Sequence, residues 1–213
     1  MVQSNYLFSH AKETLIIPLI LYYYSKKVAL VVFLFLIYFF RNPRKENGTD
    51  GTNGMGGGGK VLYAPSYGTL EKIEQVKYEG IDCIRISVFL SPLDPHLCYA
   101  PAKGILVKKE YFPGTFKMAN LGKKTELNER LVSTIETFDR KTIKVIQIAG
   151  MLVRRIVSFK PENSALESGD EIGLIKFGSR VDLVVPSNYI KQVYPLKIGQ
   201  KIIGSETKMI ELY

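Results

Sequence analysis

The stretch at 169–182, GDEIGLIKFGSRVD, places a Gly-Ser pair between two runs of β-branched and apolar residues. A glycine at 178 lets the backbone bend, and the bend brings the Ser179 hydroxyl toward the carbonyl of Gly178, where flanking ladders can hold strain. A hydroxyl so placed can attack its own chain. The same residues also read as a β-bulge or tight turn without chemistry. The second candidate is His96, in SPLDPH; the chain has two histidines, and His10 lies in the N-terminal segment. An imidazole is the usual proton handler near neutral pH, against the competing reading of a satisfied structural histidine. Arg154 and Arg155 carry guanidinium forks that suit phosphate or carboxylate, and equally suit the surface of a strand. Asp94 and Asp182 stand near these two motifs without a role that residue type assigns.

Composition removes several classes of function. Imidazole and thiolate are too scarce for a zinc site, with two histidines and two cysteines, Cys83 and Cys98, in no CxxC arrangement. No metal is expected, and the cysteines read as reduced, in a domain on the cytosolic side. The formal charge of +9 implies an anionic partner, nucleic acid or the anionic face of a bilayer. The basic residues are dispersed and carry no recognition motif with interleaved aromatics, so no nucleic acid is expected. GMGGGGK at 54–60 lacks the order of a phosphate loop, since Val61 follows the lysine.

The elements that must position these side chains follow from hydropathy. Residues 15–40 are almost wholly apolar, broken by Pro18, Lys26 and Lys27, and are followed by Arg41, Arg44 and Lys45. Each apolar run alone falls short of the roughly 20 residues a spanning helix needs, so a shallow helical hairpin and a single crossing with snorkelling lysines both stay open. The basic exit sets the expected cytosolic side. KENGTDGTNGMGGGGK at 45–60 is a tether too rich in Gly, Asn and Thr to bury anything. From 61 onward, short β-branched stretches alternate with Gly, Pro and Asn, and 81–90, 144–149, 156–159, 172–177 and 181–185 read as strands. Residues 124–137 fit a short helix or an extended loop. The expected architecture is mainly β, a compact barrel or sandwich, with an N-terminal helical membrane segment. Its parts are an anchor at 1–44, a linker at 45–60 and a β-rich domain at 61–213.

Motifs in one order along the chain sharpen this. FFRNPR at 39–44, SVFLSPLDPHLCYAP at 87–101, PGTFKMA at 113–119, NER at 128–130, IAGMLVRRIV at 148–157 and FGSRVD at 177–182 are collinear with blocks of one family. The chain resembles the short, bacterial and archaeal type of phosphatidylserine decarboxylase proenzyme. The resemblance implies that Ser179 attacks the carbonyl of Gly178, that the resulting ester is eliminated with cleavage between 178 and 179, and that a covalent pyruvoyl group forms from Ser179. It implies no external cofactor, phosphatidylserine as substrate, phosphatidylethanolamine as product, and a heterodimer of the two fragments on an anionic membrane surface. His96 falls on the family's histidine and is implied to handle the proton.

The resemblance also marks two departures. Where the family carries Pro-Ala-Asp-Gly, this chain has Pro65-Ser66-Tyr67-Gly68, and where longer relatives have a second histidine it has Tyr99. A phenol with a pKa near 10 does not replace a carboxylate that orients a histidine. A second reading therefore stands beside the first: an uncleaved, membrane-attached relative that binds aminophospholipid without turnover. A lipoyl-like or biotin-like carrier on Lys117 rests on one Lys-Met pair alone.

Overall fold

The computed structural model describes residues 22–23, 25–39, 60–114, 128–150, 156–175 and 179–213. The chain divides into two compact units, Met1–Arg44 and Lys45–Tyr213. In the first, helix α1 (Lys26–Phe39) begins after Ser25, whose carbonyl accepts the Ala29 N–H at 3.0 Å. The two lysines thus open the helix rather than interrupt it. Its 14 residues rise about 21 Å, short of the roughly 30 Å of a hydrocarbon core. No described helix is long and apolar enough to cross a membrane. Among the described residues the expected N-terminal membrane segment finds no support, since the only long apolar element there is this 14-residue helix.

The second unit is mainly β, as expected. In chain order its strands are β1 (Val61–Tyr63), β2 (Gly68–Tyr78), β3 (Ile81–Leu90), β4 (Leu97–Tyr99), β5 (Gly104–Phe112), β6 (Arg130–Thr137) and β7 (Thr142–Ala149). They continue as β8 (Ile156–Ser158), β9 (Ser164–Leu166), β10 (Glu171–Ile175), β11 (Ser179–Pro186), β12 (Ile190–Val193), β13 (Lys201–Ile202) and β14 (Lys208–Leu212). Eight of them form one antiparallel sheet in the order β13-β2-β3-β11-β7-β6-β5-β9. Two three-stranded sheets, β1-β14-β12 and β4-β10-β8, complete the unit.

Register decides which face is the core. Ser179, Val181, Leu183 and Val185 of β11 stand opposite Leu90, Val88, Ile86 and Ile84 of β3, and the first three stand opposite Ala149, Gln147 and Val145 of β7. Directly paired residues point to the same side of a sheet, so these rows form one inner face. Leu62 of β1, Met209, Ile210 and Leu212 of β14, Cys98 of β4 and Ile172 and Ile175 of β10 join the same buried cluster. The two small sheets thus lie on the inner face of the large one, and the domain is a sandwich. The opposite face has a smaller cluster of Cys83, Val132, Ile146, Ile148 and Val184. Its alternate rows are charged: Arg180 and Asp182 pair at 2.9 Å, and Arg85 reaches Asp182 at 3.9 Å.

Strands β2 and β5 are not among those expected from hydropathy, and β6 resolves the ambiguous segment as a strand from 130 on. Each of β2 and β5 contains a bulge, between Leu70 and Lys72 and between Leu106 and Lys108. A bulge shifts the alternation by one residue, so the inward-facing Leu70 and Ile73 stand three positions apart and break the period of two, while Val76 packs on the opposite face. The central strand β11 tests the packing argument. Leu183 is fully buried, so Leu183→Ala is expected to cost about 2–5 kcal/mol, measured as the loss of unfolding free energy in urea.

Candidate functional site

Ser179 is the first residue of β11 and is laddered from the outset, to Leu90 on one side and Ala149 on the other. Its side chain shares the inner face with those two apolar neighbours and is 4% exposed. Among the described residues its hydroxyl has no hydrogen-bond partner. Both flanking positions are held in place. Asn128 Nδ2 donates to the Ala149 carbonyl at 3.2 Å, the Ala149 N–H donates to the Glu129 carbonyl at 2.9 Å, and Glu129 Oε1 accepts from the Ile156 N–H at 3.2 Å. The NER motif is thus a clamp on the ends of β7 and β8, a role its charged residues did not signal in the sequence.

On the other side, Leu90 runs into a tight turn. Asp94 accepts from the Ser91 N–H at 2.9 Å and from Ser91 Oγ at 2.7 Å through Oδ2, and Lys201 Nζ lies 3.3 Å from Oδ1. Burial pushes the Asp94 carboxyl up, but the Ser91 hydrogen bonds and Lys201 outweigh it and leave the group below its ordinary value. This turn delivers His96, which is 1% exposed. Its Nδ1 is 2.7 Å from the Asp94 carbonyl oxygen. A carbonyl only accepts, so Nδ1 carries the hydrogen, and in the neutral ring Nε2 is the basic nitrogen. The His96 carbonyl in turn accepts the Ile175 N–H at 3.1 Å, which ties the histidine to the chain four residues before Ser179.

The structure therefore draws His96 and Ser179 to the two ends of one short stretch, through β3 on one side and β10 on the other. Gly178, Arg154, Arg155 and Lys117 lie outside the described residues. Asp94 acts on the loop that carries His96. Asp182 pairs with Ser87 and Ile146, on the face opposite Ser179. There burial pushes its carboxyl above the ordinary range in spite of Arg180 and Arg85. Tyr67 and Tyr99, the two departures from the family pattern, meet edge to face with centroids 6.0 Å apart. They fit because residue 204 is a glycine: a Cβ there would fall 2.8 Å from Tyr67 Cδ2 and 2.9 Å from Tyr99 Cε2. Among the described residues no three His, Cys, Asp or Glu side chains gather as ligands for a metal ion.

A family model described as phosphatidylserine decarboxylase matches residues 32–209. The chain belongs to the phosphatidylserine decarboxylase family. It is similar to the phosphatidylserine decarboxylase proenzyme of Ehrlichia chaffeensis, 37% identical over 184 residues, covering 84% of this chain and 76% of that protein. The proenzymes of Gluconacetobacter diazotrophicus, 36% identical over 84% of this chain and 78% of that one, and of Cytophaga hutchinsonii, 34% identical over 87% and 81%, align comparably. The family is one of decarboxylases, and the match runs through every strand from β1 to β13 as well as the second half of α1.

One residue that the motif reading passed over is Gln147, fully buried on the inner face of β7. An amide inside IKVIQIA, at a position in register with apolar residues, was the available signal.

The Asp94 turn generates a pH dependence. A carboxyl whose folded pKa is depressed contributes stability that is fully present above its unfolded value and lost as pH falls through the folded one. Below about pH 4 the Asp94 contribution should therefore disappear, and Asp94→Asn should flatten the fall of stability with acid in that range. Stepwise urea unfolding between roughly pH 5 and pH 3 reads this directly, and identical slopes in parent and variant would refute it.

Proposed function

We propose that this chain is a self-processing phosphatidylserine decarboxylase, cut between Gly178 and Ser179, with a pyruvoyl group made from Ser179 as its electron-withdrawing centre. The observation that carries the reading is the Ser179 hydroxyl itself, buried and without a partner among the described residues at the first rung of a doubly laddered strand. Leaving a buried hydroxyl unpaired costs about 1–3 kcal/mol. A group held at that cost, in the position the family model and the proenzyme relatives match, is suited to react.

The residues present fit the group. Leu90 and Ala149 would wall it, and the rungs from Arg180 to Pro186 of β11 would hold it after a cut, since none of them depends on the bond being broken. Once formed, the group supplies a carbonyl that takes up the substrate amine and accepts electron density as the carboxylate departs as carbon dioxide. His96 keeps its proton on Nδ1 through the Asp94 carbonyl and presents Nε2 as the base that moves a proton at the substrate carbon. The apolar inner face excludes water from the departing carboxylate. Tyr67 and Tyr99 leave processing without the family's carboxylate and second histidine, so the hydroxyl attack relies on the strand geometry and on His96.

The substrate is a lipid, and we place the enzyme on a membrane with the catalytic unit on the cytosolic side. Support comes from α1, where Val28, Leu30, Val31, Leu34 and Ile37 are 47–66% exposed within the chain, and from the basic residues that follow it. Removing residues 1–44 is expected to leave a folded β unit with little turnover on vesicles; undiminished turnover would show the segment to be dispensable.

The processing reading is tested by mass under denaturing conditions. Two fragments, 1–178 and 179–213, are expected for the parent, and full length for Ser179→Ala, which should also lose all carbonyl reactivity. His96→Ala should fold and lower decarboxylation by roughly 100-fold to 10,000-fold. Full-length parent with no hydrazine-reactive small fragment would sink the enzyme and leave an uncleaved lipid-binding protein.

A further inference from the structure

At the Ser179 end of the large sheet, one row of paired residues crosses seven strands. Lys201 of β13 pairs with Thr69 of β2, Thr69 with Phe89 of β3, and Phe89 with Arg180 of β11. Arg180 pairs in turn with Ile148 of β7, Ile148 with Arg130 of β6, and Arg130 with Phe112 of β5. Paired residues share a face, so the row lies on the face opposite Ser179. Along the strands it is one residue from Ser179, from Leu90 and from Ala149. Six strand spacings make it about 29 Å long.

The row holds three cations, two phenylalanines and no acid. Phe89 and Phe112, together with Leu93 in the turn that delivers His96 and Tyr111 beside Phe112, are 38–58% exposed. The Arg130 guanidinium lies over the Phe112 ring, 4.3 Å from its centre. Asp182 pairs with Arg180 at 2.9 Å and Asp94 lies 3.3 Å from Lys201, so three cations meet two carboxylates and the set stays positive. Apolar side chains are also exposed at the far end of the sheet, at Ile81 and Phe138. There, however, Glu79, Asp82 and Asp139 stand beside them. Aromatic rings next to Lys and Arg suit a membrane–water interface, whereas carboxylates are repelled by an anionic bilayer.

We propose that this rim is the surface by which the β unit docks, end on, against a bilayer containing anionic phospholipid. Phe89, Leu93, Tyr111 and Phe112 enter the interfacial layer, and Lys201 and Arg130 meet lipid phosphates. This rests on the reading above that the substrate is phosphatidylserine held in a membrane. The carboxylate to be lost belongs to the head group, while the acyl chains stay in the bilayer. Ser179 and His96 are both buried, so a head group reaches them over a short distance only if their end of the sheet faces the lipid. A second copy of the chain docked through the same row would set like cations against each other.

The test uses the full chain with Ser179→Ala, so that the vesicles are not consumed. Both native cysteines are buried, and a single exposed cysteine therefore takes an environment-sensitive dye selectively. Leu93→Cys carries the dye at the rim and Ile81→Cys carries it at the far end. On phosphatidylcholine vesicles containing phosphatidylserine, the dye at 93 is expected to shift to the blue, less so on phosphatidylcholine alone or in high salt. The dye at 81 is expected to stay as in water. No shift at 93, or equal shifts at both ends, would overturn the proposal. So would a shift at 93 that grows with protein concentration and needs no vesicles, which would assign the rim to a second copy.

Turnover gives a second arm, measured per cleaved molecule without the Ser179 change. Phe89→Ser combined with Phe112→Ser is expected to lower kcat/KM on vesicles roughly tenfold more than on a short-chain phosphatidylserine dispersed as monomers. Equal losses on the two substrates would make the phenylalanines part of the fold and overturn their role in docking. A parent chain that never cleaves would defeat the decarboxylase reading, while the dye shifts still decide the docking surface, so the two failures are distinguishable.

Discussion

The ladder on both sides of β11 is the constraint from which the rest of this structure follows. From Ser179 to Val184 each residue is bracketed by β3 and β7, and both faces of the strand are covered, by the main core on one side and by a mixed apolar and ionic layer on the other. A side chain at the first rung of such a strand has little freedom to find a partner by moving. Its neighbours are fixed in turn, Leu90 by running into the Asp94 turn and Ala149 by the clamp from Asn128 and Glu129. The conserved geometry of the strand through any cut before Ser179 is a consequence, because the pairing lies entirely downstream.

The same ladder separates two sets of polar groups that lie close in sequence. Ser179 faces inward with Gln147, while Arg180 and Asp182 face outward, the arginine pairing with Asp182 two residues along its own strand. The outward set is joined by that ion pair, although Ser87 Oγ, Arg180 Nε and Asp182 Oδ1 make no well-formed hydrogen bond among the described residues. The inward set has no ion pair, and Ser66, Gln147 and Ser179 sit in a core of Val, Leu and Ile. In energetic terms both sets cost the domain stability, and the inner one holds the candidate nucleophile.

Tyr67 and Tyr99 look like independent departures from the family pattern when read along the chain. In space they are one feature, two rings packed edge to face against Gly204. A carboxylate introduced at 67 alone would face an aromatic ring instead of an imidazole, so the pair has to be considered together when asking what assists the Ser179 hydroxyl.

Much of this was legible from residues alone. The mainly β class and the strand at 81–90 follow from local pattern, because hydrophobic alternation and turn residues act over a few positions. Membership in the decarboxylase family followed from collinear motifs. Other features depend on partners far away in sequence. The bulged strands β2 and β5 show their true period only when paired. The NER residues become a clamp only when β7 and β8 end beside them, and the two tyrosines meet only when β4 crosses the 65–68 segment. Whether Gln147 is an ordinary surface amide or a buried one facing Ser179 is set by the register between β7 and β11. A one-residue slip would have turned it to the other face, and only the closed sandwich determines which face is the core.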